Sequence, residues 1–72
     1  MELYALLEGR LATLPVTKES WARVTRALIE SRRSRHLPFL LDVGAWAPVG
    51  VPAFVAEDCY RNWLNRNRHL EN

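Results

Sequence analysis

Apolar residues recur at helical spacing at the start of the chain. Four leucines lie on one side of a helical wheel, namely Leu3, Leu7, Leu11 and Leu14. This spacing predicts a first helix over residues 2–12. The Leu14-Pro15 step ends the pattern, since the residue before a proline disfavours helical backbone.

A second helix is predicted to begin at Thr17. A threonine there caps a helix well, and the preceding Val16 stands at the staple position relative to Trp21. We expect this helix to run from Thr17 to about Ser34. Its predicted apolar face comprises Trp21, Val24, Thr25, Leu28 and Ile29. Its opposite face carries Arg23, Arg26, Glu30 and Arg33, and Arg26 and Glu30 are spaced for an ion pair.

The period of the pattern changes after Pro38. Phe39, Leu41 and Val43 alternate with Leu40 and Asp42, as the two faces of a β-strand do. Residues 44–50 contain the glycines and proline of a turn, and residues 51–55 are predicted to form the returning strand. The expected element is therefore a short β-hairpin over residues 39–55.

The last element is predicted to be a helix that begins near Ala56. Its apolar face comprises Ala56, Tyr60, Trp63 and Leu64, and Cys59 and Leu70 extend it. The order helix, helix, β-hairpin, helix predicts an α+β fold, and it looks like that of a small winged helix-turn-helix domain. No repeat or flexible linker divides the sequence, so we interpret residues 1–72 as a single domain.

Composition narrows the functional classes. The chain has 72 residues, 49% of them hydrophobic, which suits one small core. Cys59 is its only cysteine, so neither an internal disulfide nor a cysteine-built zinc site is expected. No nucleophile, base and orienting group stand together, and we predict a protein that is not an enzyme and takes no metal or cofactor. The acidic start of the sequence and the lack of a long apolar run predict a cytoplasmic protein with no membrane partner.

The net charge of +2 hides a strong division along the chain. Residues 1–17 sum to −1, residues 18–36 to +4, residues 37–60 to −3 and residues 61–72 to +2. A basic helix of this kind is either a nucleic-acid footprint or the solvated side of an amphipathic helix.

The arrangement resembles a family of small DNA-binding proteins. The stretches that carry the resemblance are residues 24–32, the Leu-Pro-containing segment 36–41, residues 50–55 and the closing helix 57–66 with its Trp63-Leu64 pair. Together they are similar to the excisionase-type winged-helix domains and to the pyocin-activator-type regulators of phage and prophage. This resemblance implies double-stranded DNA as partner, with the helix over residues 17–34 in the major groove.

The resemblance also implies roles for individual side chains. Ser20, Arg23, Thr25 and Arg26 would lie near base edges. Lys18, Arg33 and Arg35 would contact phosphates.

The apolar segment 39–55 supports a different hypothesis. Its predicted turn has no lysine or arginine to offer a minor groove, and it exposes Trp46 between valines. A surface of this kind suits a host protein or a second copy of the chain. The alternative function is therefore a small phage-type interaction module or inhibitor, with Trp46, Val49 and Val51 at the contact.

Overall fold

The computed structural model describes residues 2–33 and 52–71, and all regular structure in these ranges is helical. Helix α1 spans Glu2–Leu11, α2 spans Lys18–Arg33 and α3 spans Ala53–Arg66. A single turn of 3₁₀-helix, Arg68–Leu70, follows α3. The first two helices lie where the leucine spacing and the Thr17 cap predict them.

The predicted α+β fold is wrong for the described residues, which form an all-α arrangement without a strand. Residues 53–55, expected at the end of the returning strand, are the first turn of α3. Pro52 is the N-cap residue, and its carbonyl oxygen accepts from the N–H groups of Val55 and Ala56 at 3.1 and 3.2 Å. The apolar run of residues 51–55 resembles a strand, but the apolar spacing of the following turns continues back to Val55 and favours the helix. The rest of the predicted hairpin, residues 39–51, lies outside the described residues.

Helix α3 packs against both other helices and supplies most of the core. Its inner face is nearly inaccessible to solvent, and it comprises Val55, Ala56, Cys59, Tyr60, Trp63 and Leu64. The sequence-based prediction of this face is confirmed for all its members except Leu70, which is half-buried in the 3₁₀ turn. Burial of two aromatic rings explains how so short a chain obtains a core without a disulfide.

Polar contacts at the edges of the core fix the helix directions. The Tyr4 hydroxyl donates to Asp58 at 2.9 Å, and Arg66 pairs with Glu8 at 3.4 Å. The earlier residue of α1 contacts the start of α3 and the later one contacts its end, so the two helices run in the same direction. Helix α2 runs the opposite way, because Arg32 near its end pairs with Glu57 near the start of α3.

The predicted cap of α2 is confirmed. The backbone N–H of Ser20 donates to Thr17 Oγ1 at 3.0 Å, and the N–H of Trp21 donates to the Thr17 carbonyl oxygen at 2.9 Å. These bonds satisfy two of the donors that a helix leaves open at its start. The cap sets where α2 begins and hence which side chains lie on each turn.

The buried side of α2 differs from the predicted apolar face. Val24 and Leu28 are buried as expected, but Ser20, Ala27 and Ser31 complete the contact surface. These small side chains let α3 lie close, and the Ser31 hydroxyl is satisfied within its own helix by the Leu28 carbonyl oxygen at 2.8 Å.

Ile29 therefore lies on a different side of α2 from the one predicted. It was predicted on the apolar face, yet 44% of it is exposed. Packing through the small residues turns α2 so that Ile29 stands on the outer side, among the charged positions.

Candidate nucleic-acid interface

The outer side of α2 carries a continuous row of exposed side chains. We call it the basic face, and it consists of Lys18, Ala22, Arg26, Ile29 and Arg33. Successive members are three or four residues apart, so they follow one side of the helix. From Lys18 to Arg33 the row extends about 22 Å along the helix axis, at the usual rise per residue. Cations occupy both ends and the middle of the row.

The cations of the basic face have no acidic partner among the described residues. Within residues 2–33 and 52–71, no carboxylate oxygen lies within 4.0 Å of the charged group of Lys18, Arg26 or Arg33. The ion pair between Arg26 and Glu30 that the spacing predicted does not form. The basic face therefore presents its positive charge to solvent.

The arginines of α3 have acidic partners. Arg61 of α3 binds Glu57 at 2.6 Å and Asp58 at 3.2 Å. Glu57 also accepts from Arg32 of α2 at 3.2 Å, so one carboxylate joins two helices.

The arginines at and after the end of α3 also form ion pairs. Arg66 reaches Glu8 of α1 at 3.4 Å, and Arg68 of the 3₁₀ turn reaches Glu71 at 3.1 Å. Helix α3 and its extension thus show solvent a set of paired charges.

The remaining predicted DNA-contacting residues on α2 occupy different positions. Arg23 is exposed on the flank of the basic face. Thr25 is half-buried, and its hydroxyl donates to the Trp21 carbonyl oxygen at 2.8 Å. Ser20 is only 6% exposed and its hydroxyl accepts from the Thr17 hydroxyl at 3.0 Å, so it faces α3 and does not reach the surface. We leave Ser20 out of the candidate interface.

Several predicted residues lie outside the described residues. Arg35, assigned to a phosphate, is one of them. So are the three residues of the alternative protein contact, Trp46, Val49 and Val51.

Two members of the basic face were not identified from the sequence as site residues, Ala22 and Ile29. A signal for them existed, because Ser20, Ala27 and Ser31 recur at helical spacing and mark a small-residue side that suits close packing. A helical wheel that places this side inward puts Ala22 and Ile29 outward, beside Lys18 and Arg33.

The nucleophilic and phenolic groups of α3 lie in the core. Cys59 is fully buried, and loss of solvation together with the nearby Glu8 carboxylate raises the pKa of its thiol to about 12. Burial likewise raises the pKa of the fully buried Tyr60. A thiol held in its protonated form is a poor nucleophile, so Cys59 acts here as a small apolar side chain.

The described ranges contain neither a cluster of metal-binding side chains nor a membrane-spanning helix. No three His, Cys, Asp or Glu side chains in residues 2–33 and 52–71 gather around a common point. None of the helices described is both long and apolar enough to cross a bilayer.

Comparisons with protein-family models, with curated proteins and with solved structures gave no match to this chain. The functional proposal below is therefore based on the distribution of charge over the described helices.

Proposed function

We propose that this protein binds double-stranded DNA through the basic face of α2. The observation that carries the proposal is the row of cations that find no acidic partner in the described part of the chain, which contrasts with the paired arginines of α3. The charge of a DNA duplex, one negative charge per about 1.7 Å of its axis, is the complement of such a row.

The position of α2 also suits a duplex. Its opposite side is packed on α3, so the basic face points away from the rest of the described core. A single α-helix fits the major groove, which is about 12 Å wide. We assign Lys18 and Arg33, at the two ends of the face, to phosphates, and Arg26, at its middle, to base edges.

The charge of α2 supports attraction at longer range. The helix has five basic and two acidic side chains, which gives a formal charge of +3. In α3 two arginines balance two acids. A patch of one sign raises the rate at which a polyanion is encountered. We include a cytoplasmic location in the proposal.

The proposal keeps DNA binding and leaves the winged architecture aside. The helical backbone of residues 53–55 removes the second wing strand from the resemblance to excisionase-type domains. A role as an excisionase or prophage regulator remains part of the proposal through α2 and the closing helix.

A protein-interaction module is the second candidate. Phe54 favours it, because this large apolar side chain is 62% exposed on the first turn of α3. Phe54 belongs to the segment 39–55 in which the sequence places a partner contact. A folded protein that binds no duplex in the experiment below would favour this candidate.

The test compares two pairs of arginines. Arg26→Gln with Arg33→Gln removes two cations from the basic face, and Arg61→Gln with Arg66→Gln removes two paired cations from α3. Binding to a fluorescent mixed-sequence duplex of about 24 bp is followed by anisotropy between about 50 and 200 mM salt. At the lower salt concentration the α2 variant is expected to lose roughly a hundredfold in affinity, with a log–log salt slope smaller by about 1, because Arg33 is assigned to a phosphate and Arg26 to base edges.

The α3 variant serves as the matched control, since it makes the same change in net charge. It is expected to lose far less affinity, because its arginines are already engaged. Circular dichroism and chemical unfolding verify that both variants fold. Absence of duplex binding by the unaltered protein at low salt, or an equal loss in both variants, contradicts the proposal.

A further inference from the structure

The basic face contains apolar side chains as well as cations. Ala22 and Ile29 lie between the charged members of the row, and 44% of Ile29 is exposed. Arg26 precedes Ile29 by three residues and Arg33 follows it by four, so cations flank Ile29 on the same side of α2. A ligand that the cations hold against this face must therefore cover Ile29.

The face offers few groups that read bases by hydrogen bonds. The Thr25 hydroxyl donates to the Trp21 carbonyl oxygen, which leaves it without a proton to donate to a base. Ser20 is buried against α3. Arg26 is then the hydrogen-bond donor at the middle of the face, and the groups beside it are the methyl of Ala22 and the branched chain of Ile29.

Thymine is the standard base that matches an apolar reader. In the major groove it presents its 5-methyl group, whereas the other bases present polar edges or a plain carbon–hydrogen edge at that place. We propose that Ile29 packs against the 5-methyl group of thymine and makes the protein prefer thymine-containing duplexes. This inference rests on the proposed function, since it needs α2 in the major groove.

The experiment removes the methyl group from the DNA. Two alternating A–T duplexes of about 24 bp are compared, one with thymidine and one with deoxyuridine, which lacks the 5-methyl group. The unaltered protein is expected to bind the thymidine duplex roughly fourfold more tightly, the value for one buried methyl group. Anisotropy titrations of both duplexes at one salt concentration measure the ratio.

Variants of Ile29 test whether this side chain causes the difference in affinity between the thymidine and deoxyuridine duplexes. Ile29→Ala is expected to bind the two duplexes equally, with its loss confined to the thymidine duplex. Ile29→Val keeps a branched chain and is expected to retain most of the preference. Because Ile29 is on the surface, both variants are expected to fold, and circular dichroism monitors this.

The outcomes separate this inference from the proposed function. Equal binding of both duplexes by the unaltered protein overturns thymine recognition and leaves DNA binding in place. A preference that persists in Ile29→Ala overturns the role of Ile29 and assigns the preference to duplex shape. Failure to bind either duplex at low salt overturns the proposed function and this inference together.

Discussion

Helices α2 and α3 are both amphipathic and both carry arginine, yet their outer sides differ. The arginines of α3 meet acids on α3 itself and on α1, as the contacts of Arg61 and Arg66 show. Among the described residues, Arg26 and Arg33 of α2 meet none. Similar side chains thus produce a neutral surface on one helix and a positive surface on the other.

The difference lies in the placement of acids on neighbouring helices. Glu8 of α1 reaches Arg66 because α1 runs alongside α3 in the same direction. Glu57 of α3 reaches Arg32, which lies near the boundary between the two helices, but not the cations farther round α2. A count of charges along the sequence does not contain this information, because the partners are distant in sequence.

The comparison predicts that acids added to α2 abolish DNA binding without harm to the fold. Ala22→Glu places a carboxylate four residues before Arg26, and Ile29→Glu places one four residues before Arg33. Each new pair should stabilise the helix by about 0.2–0.5 kcal/mol. With two cations neutralised, duplex affinity near 50 mM salt is expected to fall roughly a hundredfold, as measured by anisotropy.

The matched control carries glutamine at the same two positions. It has the same side-chain size without the charge, so it should retain much more affinity than the glutamate variant. If both variants lose affinity equally, apolar contact rather than charge dominates the face.

The inner sides of the two helices also differ, because the inner side of α3 buries an ionisable thiol. The stability of the fold should therefore depend on pH through this group. Burial raises the pKa of Cys59 on α3 to about 12, whereas an unfolded thiol titrates near about 8.5. Above about pH 9 the unfolded chain loses this proton and the folded chain keeps it. The free energy of unfolding should therefore fall as pH rises towards 12, by at most about 1.4 kcal/mol per pH unit from this group.

Urea unfolding at about pH 8 and pH 9.5 measures this fall, mostly below the range near about pH 10 in which the unfolded chain's Tyr60 ionises and also contributes. The Cys59→Ala variant is less stable at both pH values because it leaves a cavity, but its stability should change less between them. A slope that is identical in the variant would show that the thiol is not responsible.

The smallest expected change in the free energy of unfolding comes from replacing a single acid on α2 or on α3. Glu57→Gln breaks the contacts of Glu57 with Arg32 and Arg61, and we expect it to lower the free energy of unfolding by about 0.5–1 kcal/mol. Glu30→Gln makes the same chemical change on α2, where no cation among the described residues lies within 4.0 Å. Its expected effect on stability is close to zero. Urea unfolding of the two variants in parallel makes the measurement, and a larger loss from Glu30→Gln would reverse the comparison.

Much of the helical architecture was predictable from local patterns. The leucine spacing placed α1, Thr17 placed the start of α2, and the spacing of Ala56, Tyr60 and Trp63 placed the inner face of α3. The hairpin prediction failed at residues 53–55, because a short apolar run after a proline fits both a strand and the first turn of a helix. Only the contacts of the later turns of α3 decide between them.

The candidate site was predictable in part. Lys18, Arg26 and Arg33 were placed on the charged side of the helix from their spacing, and the structure exposes them together. Ser20 and Ile29 were assigned to the wrong sides, since hydrophobicity predicts an inward isoleucine and an outward serine.

The amino-acid sequence alone determined where α1 and α2 begin, which residue caps α2 and how charge is divided along the chain. These properties depend on neighbours within a few residues. Tertiary structure decided which side of α2 meets α3 and which arginines find an acid. Close packing selects the side with small residues, and ion pairs need atoms within a few ångströms that the chain brings together only when it folds.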